Sequence, residues 1–167
     1  MITVVLSSVA QTRRLARVLA GLLAPPMLVT VAGDLGTGKT TLVREILRAR
    51  GVRGAITSPS FTLAQSYRGR EGEDLHHLDL YRLTPGADVE LFAWGDYAGS
   101  HSLTFVEWPA AGTALLSTPD VIIELEHRTL RTRRLRLCAS TSFETALMRA
   151  SAAVGLRVDD ARPVEDA

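Results

Sequence analysis

The sequence predicts an α/β fold, a mainly parallel mixed sheet flanked by helices, on three observations. Met27–Ala32 is an unbroken apolar run, the pattern of a strand covered on both faces. A glycine-rich turn over Gly33–Gly38 and an amphipathic stretch over Lys39–Arg50 follow it directly, which reads as strand, turn and helix. Strand-like and helix-like segments alternate in the first half of the chain, and hairpin-like strands come later.

Each element has its own signal. Ile2–Leu6 is β-branched and short, a strand. Val9–Leu23 carries Leu15, Ala16, Leu19, Leu22 and Leu23 at helical spacing, and Ala24-Pro25-Pro26 ends it because proline cannot continue the hydrogen-bond ladder. Gly51 stops the helix that begins at Lys39. Residues 51–60 read as a loop, Phe61–Tyr67 and Leu75–Leu80 as strands joined by the polar turn Arg68–Asp74, and Pro85–Trp94 as a helix. Leu103–Glu107 is a second buried strand, and Trp108–Pro119 is loop with a short helical piece. Val121–His127 and Arg133–Ala139 form a closing hairpin, and Phe143–Ala153 is the last helix. One domain over residues 1–154 is expected, with 155–167 as a flexible polar tail.

Bulk properties exclude several classes. The chain has 167 residues, 46% hydrophobic and 22% charged, which is enough for one packed core. A formal charge of +1 gives no bulk electrostatic argument for nucleic-acid or membrane binding. No apolar run approaches the roughly 20 residues of a membrane span, and the N-terminal stretch lacks the basic start of a secretory leader. A cytoplasmic protein is expected. The single Cys138 excludes an internal disulfide and reads as a small core residue of a strand. Of the 19 Lys and Arg residues only Lys39 is a lysine, and it stands where a compact ammonium serves better than a guanidinium fork.

Gly33-x-x-x-x-Gly38-Lys39-Thr40 matches the phosphate-binding loop pattern in full, in the strand-to-helix setting that the pattern requires. Average residue frequencies give a chance match of roughly half a percent for a chain of this length. The loop Gly33, Asp34, Leu35, Gly36, Thr37, Gly38, Lys39, Thr40 and Thr41 is therefore expected to hold a nucleoside triphosphate. Glycines let successive N–H groups turn toward phosphate oxygens, and the helix start adds its positive end. Lys39 would reach the β- and γ-phosphates and the Thr40 hydroxyl would ligate Mg²⁺. The expected fold is thus that of a P-loop NTPase.

Phosphoryl chemistry also needs an acid for the metal and a group that positions the nucleophile. Asp79 interrupts the apolar strand His77-Leu78-Asp79-Leu80-Tyr81, and Glu107 ends Leu103–Glu107 at the carboxyl end, where ligands of open α/β sheets bind. Spacing does not say which is metal ligand and which positions water; a capped or salt-bridged strand end is the bland reading of each. The hydroxyl-rich Thr57–Thr62 reads equally as a γ-phosphate switch or as a Ser/Pro turn. The guanine-reading motif requires a lysine, and none exists beyond Lys39, so ATP is favoured over GTP. Asp96-Tyr-Ala-Gly99 matches a short D-x-x-G pattern and is read as a turn.

Four segments together, GDLGTGKTT at Gly33–Thr41, TSPSFTL at Thr57–Leu63, HLDLYRL at His77–Leu83 and VEWP at Val106–Pro109, resemble the TsaE family over roughly residues 7–150. Ser60 departs from the threonine usual there but keeps a hydroxyl. The resemblance implies a slow Mg²⁺-dependent ATPase that works with TsaD and TsaB to form N6-threonylcarbamoyladenosine in tRNA, reaching tRNA only through that complex. It implies Lys39, Asp79 and Glu107 as catalytic residues; at the metal, Thr40 would be a ligand, Glu107 would serve directly or through water, and Asp79 would be the Walker-B-like acid. Trp108 would lie near the nucleotide or serve as a loop anchor. Thr12 would lie on the adenine side, and Arg131–Arg134 would contact the nucleotide or cover a strand edge. Two other readings remain: a small-molecule kinase, with Arg68-Gly-Arg70 as a faint lid candidate, and an interaction module gated by nucleotide binding alone.

Overall fold

The computed structural model describes residues 1–60, 62–83, 93–112 and 116–160. In chain order the elements are β1 (Ile2–Leu6), α1 (Val9–Leu22), β2 (Met27–Gly33), α2 (Lys39–Ala49), β3 (Ala64–Arg68), β4 (Asp74–Asp79), β5 (Ser102–Glu107), β6 (Val121–His127), β7 (Arg133–Cys138), α3 (Thr141–Ala153) and β8 (Val158–Asp160). Short 3-10 turns lie at Trp94–Tyr97 and Pro109–Gly112.

All eight strands join one mixed sheet in the order β3-β4-β5-β2-β6-β7-β1-β8. Parallel pairing holds the centre, β4-β5-β2-β6. Both flanks are antiparallel, β3 on one side and β7, β1 and β8 on the other. The burial pattern follows this division. Every residue of β5 is buried, as befits a central strand, whereas β6 alternates buried and exposed toward the antiparallel side.

One face of the sheet carries the main core. Leu75, Leu103, Phe105, Val29, Val31, Ile123, Leu135 and Val4 pack there with α1, α2 and α3. A smaller cluster, Leu28, Leu78, Leu80, Leu83 and Val106, lies apart from it. In α2 the buried side chains Leu42, Val43, Ile46 and Leu47 fall on one stripe. At about 2 kcal/mol each they hold an 11-residue helix that is too short to persist alone. Ser8 caps α1 by accepting from the Gln11 N–H at 3.3 Å, and Ser140 caps α3 by accepting from the Phe143 N–H at 3.3 Å.

Three expectations change. Cys138 is exposed, because β7 turns Leu135 and Leu137 inward and the period of two sends Cys138 outward. The strand expected from Phe61 begins only at Ala64, since Leu63 adopts φ 61°, a left-handed conformation no strand continues through. Val158–Asp160, inside the stretch expected to be a flexible tail, pairs with β1, and Leu156 before it is buried. The helix expected over Pro85–Trp94 lies mostly outside the described residues, and Trp94 itself opens a 3-10 turn.

Two stability predictions follow from these contacts. A Cβ on Gly33, at φ 137°, would sit 2.1 Å from the Leu125 carbonyl oxygen of β6, so Gly33→Ala is expected to destabilise by about 3 kcal/mol in urea titration. Ending the chain at Gly155 removes buried Leu156 and the β1–β8 pairing. A loss of about 2 kcal/mol is expected in the same measurement.

Candidate functional site

The loop between β2 and α2 is built from backbone that only glycine adopts readily. Gly33, Gly36 and Gly38 have φ of 137°, 76° and 103°. Thr37, almost fully buried, closes the turn by donating from Oγ1 to the Asp34 carbonyl at 2.8 Å. Gly38 is the N-cap of α2 and supplies no side-chain acceptor, so the first N–H groups of the helix keep their capacity for an anion. The β6–β7 hairpin steadies the loop from the side. His127 Nε2 lies 3.3 Å from the Leu35 carbonyl oxygen, and the Arg133 guanidinium donates to the Gly36 carbonyl at 3.4 Å.

Lys39 is buried and folds along the loop, donating from Nζ to the carbonyls of Gly33 at 2.7 Å and Asp34 at 2.9 Å. The ammonium also sits 3.9 Å from the centre of the Trp108 ring, whose centre lies 4.8 Å from that of Tyr81 with the planes tilted by 47°. Burial pushes the Lys39 pKa below its ordinary value, against the opposing pull of the Glu107, Asp79 and Asp34 carboxylates. The favourable site for this cation is therefore one that adds negative charge.

Asp79 and Glu107 are register partners at the carboxyl ends of the parallel strands β4 and β5, so both acids reach the same edge of the sheet as the loop. Glu107 is 1% exposed and has a donor on each oxygen: Thr40 Oγ1 at 2.9 Å from Oε2, and His77 Nε2 at 2.7 Å from Oε1. Asp79 accepts from Ser60 Oγ at 2.6 Å and from the Tyr81 N–H at 3.1 Å, and Ser60 Oγ is 2.7 Å from Ser58 Oγ. Left-handed backbone flanks both acids. Leu63 turns its carbonyl onto the Asp79 N–H at 2.9 Å, and Trp108, at φ 57°, redirects the chain straight after Glu107.

Two clefts meet at the loop. One, of about 400 Å³, is lined by Lys39, Thr40, Ser60, Asp79, Glu107 and Trp108. The other, of about 440 Å³, is lined by Ser8, Thr12, Thr41, Leu125, Arg131 and Arg133. Gly36 and Gly38 belong to both. A larger cleft of about 500 Å³ includes Arg13, Arg17, Arg48 and Arg70 and contains no loop residue; its size is no guide to the chemistry. Among the described residues no group of three or more His, Cys, Asp and Glu side chains could hold a metal by itself, and no helix is long and apolar enough to cross a membrane.

Most residues singled out in the sequence thus come together. Lys39, Thr40, Asp79 and Glu107 share one cleft, and Thr12, Arg131 and Arg133 meet across the loop from it. Arg68 and Arg70 do not join them: Arg68 pairs with Asp74 at 2.7 Å at the opposite end of β4. Asp96–Gly99 is a turn beside the start of β5, far from its acidic end. His77 was missed. Its signal was the period of two, since His77 and Asp79 alternate onto the same face of β4.

The family model described as threonylcarbamoyl adenosine biosynthesis protein TsaE matches residues 6–135. The tRNA threonylcarbamoyladenosine biosynthesis protein TsaE of Haemophilus influenzae is 33% identical over 117 residues, covering 70% of this chain and 73% of that protein. The protein of the same name from Streptomyces coelicolor is 44% identical over 97 residues, 58% of this chain and 66% of its own length. A crystal structure of Bacillus subtilis YdiB superposes with a TM-score of 0.74 at 21% identity, over 92% of this chain and 98% of that one, a likeness of fold. With the phosphate-loop geometry and these matches together, the chain belongs to the TsaE family of tRNA threonylcarbamoyladenosine biosynthesis proteins.

Proposed function

We propose that the protein binds Mg-ATP at the Gly33–Thr41 loop and hydrolyses it slowly in support of tRNA threonylcarbamoyladenosine formation, acting with TsaD and TsaB. The observation that carries this reading is the 2.9 Å contact between Thr40, in the first turn of α2, and the buried Glu107. A hydroxyl and a carboxylate so placed beside a phosphate loop are the two protein ligands that Mg²⁺ needs when phosphate and water supply the rest.

The residues divide the work. Loop N–H groups and the start of α2 bind the phosphates, and Lys39, already pressed by burial toward losing its proton, gains from the negative charge of the β- and γ-phosphates. Thr40 and Glu107 hold the cation, which when bound draws charge from the phosphate oxygens. Asp79, tethered to Ser60, stands beside this pair and orients the attacking water or accepts its proton. The second cleft, with Thr12, Arg131 and Arg133, takes the nucleoside. Arg68 and Arg70, the residues weighed as a kinase lid, lie away from Thr40. In the cell the reading places the protein in the cytoplasm, reaching tRNA only through the TsaD–TsaB complex.

Lys39→Ala is expected to weaken Mg-ATP binding at least 100-fold in calorimetry; unchanged affinity would sink the proposal. Glu107→Gln should keep nucleotide binding within about tenfold yet lower phosphate release on the order of 10²–10³-fold. Phosphate appearing on an added acceptor instead of free in solution would favour the kinase reading. A pull-down with TsaD and TsaB that is indifferent to ATP, with turnover unaltered by them, would overturn the partner assignment.

A further inference from the structure

We infer that His77 is a positioning residue for Glu107, holding one carboxylate oxygen so that the other stays aimed at Thr40 and the cation. This rests on the Mg-ATP reading of the cleft and deepens it.

The geometry is specific. His77 is 0% exposed, and its Nε2 lies 2.7 Å from Glu107 Oε1, while Glu107 Oε2 takes the Thr40 hydroxyl at 2.9 Å. With Glu107 ionised, Nε2 must be the donor. The other ring nitrogen, Nδ1, is buried and has no hydrogen-bond partner among the described residues. Burying an unpaired acceptor is unfavourable, so space filling does not explain a histidine at this position. Leu75, two residues earlier on the same face of β4, fills the core with no such penalty.

The adjacent histidine shows the contrast. His76 points the other way and engages both nitrogens, Nδ1 with Ser66 Oγ at 2.8 Å and Nε2 with Ser102 Oγ at 3.3 Å. That is a histidine satisfied within the sheet. His77 leaves one nitrogen unpaired and commits the other to the acid at the phosphate cleft. The terminal torsion of a glutamate is broad and roughly two-fold, so a carboxylate held on one side only could turn its second oxygen away from the first turn of α2. A donor fixed in the packed sheet removes that freedom, as hydrogen bonds to metal-bound carboxylates do elsewhere.

The test compares ATP affinity by calorimetry with Mg²⁺ and with EDTA. His77→Met, which fills the site without an N–H, should bind ATP in EDTA within about twofold of the parent. Its Mg²⁺-dependent gain in affinity should fall about tenfold or more. His77→Gln, which restores an N–H on a chain of similar length, should recover most of that gain. If His77→Met fails to fold by thermal melting, His77→Phe, which keeps a ring, takes its place. In a Glu107→Gln background His77→Met should change the gain no further, because the effect passes through the carboxylate. The inference is overturned if the Met or Phe variant keeps the full gain, if His77→Gln loses as much as His77→Met, or if the two losses add. A parent protein showing no Mg²⁺-dependent gain would instead defeat the Mg-ATP reading itself.

Discussion

The buried carboxylate of Glu107 is the constraint around which the functional end of the molecule is arranged. A carboxylate 1% exposed has lost its water and must find donors within the fold. It finds one on β4, His77, and one on α2, Thr40. Each hydrogen bond to a charged group contributes about 1.5–3 kcal/mol, whereas a buried charge stripped of a partner costs about 3–5 kcal/mol. The strands β4 and β5 and the first turn of α2 are therefore locked at a common point. The same point lies beside Lys39, whose ammonium is itself short of water. Burial presses that ammonium toward neutrality while the Glu107 and Asp79 carboxylates pull the other way, so lysine and acids share one local field.

How much of this was legible in the sequence depended on whether a signal was local. The strand, turn and helix around Gly33–Thr41 were legible, because the glycines are close in sequence and the flanking strand and helix have different periodicities. The acids Asp79 and Glu107 were legible as oddities in apolar strands. Their pairing was not, because register between β4 and β5 is set across the 22 residues that separate the two strands, by packing and not by neighbours. His77 escaped for the same reason: beside His76 it reads as one of two histidines, and only the strand period separates the one facing Ser66 from the one facing Glu107. Cys138 was misplaced because its apolar neighbours Leu137 and Ala139 outweighed the alternation that sends it outward. Leu156 and Val158 were discounted for lying in a polar stretch, although two apolar side chains suffice to dock a three-residue strand on an open edge.

Asp79 and Glu107 differ in their surroundings. Glu107 is tied to the hydroxyl that any P-loop offers to a cation, and both its oxygens face protein donors. Asp79 is tied to Ser60, in a loop that also places Ser58, and to the N–H of Tyr81. One acid is joined to α2 and the other to a hydroxyl-bearing loop. On the Mg-ATP reading proposed above, this difference favours Glu107 for holding the cation and Asp79 for the water, and would make the Ser58–Ser60 loop the segment that meets the γ-phosphate.

The division of the sheet into a parallel centre and antiparallel flanks explains why the two clefts share one loop. Parallel pairing brings the carboxyl ends of β4, β5, β2 and β6 to one edge, so the acids and the phosphate loop emerge together. A wholly parallel sheet would then carry β6 away through a crossover helix. Here β6 instead turns back at once into β7, and that turn arises at the same edge as the loop. His127 and Arg133 can thus brace Leu35 and Gly36 from the side opposite the acids. The antiparallel return places Arg131 and Arg133 on one side of the loop, while the parallel strands place Asp79 and Glu107 on the other. A switch in strand direction supplies one wall of the second cleft.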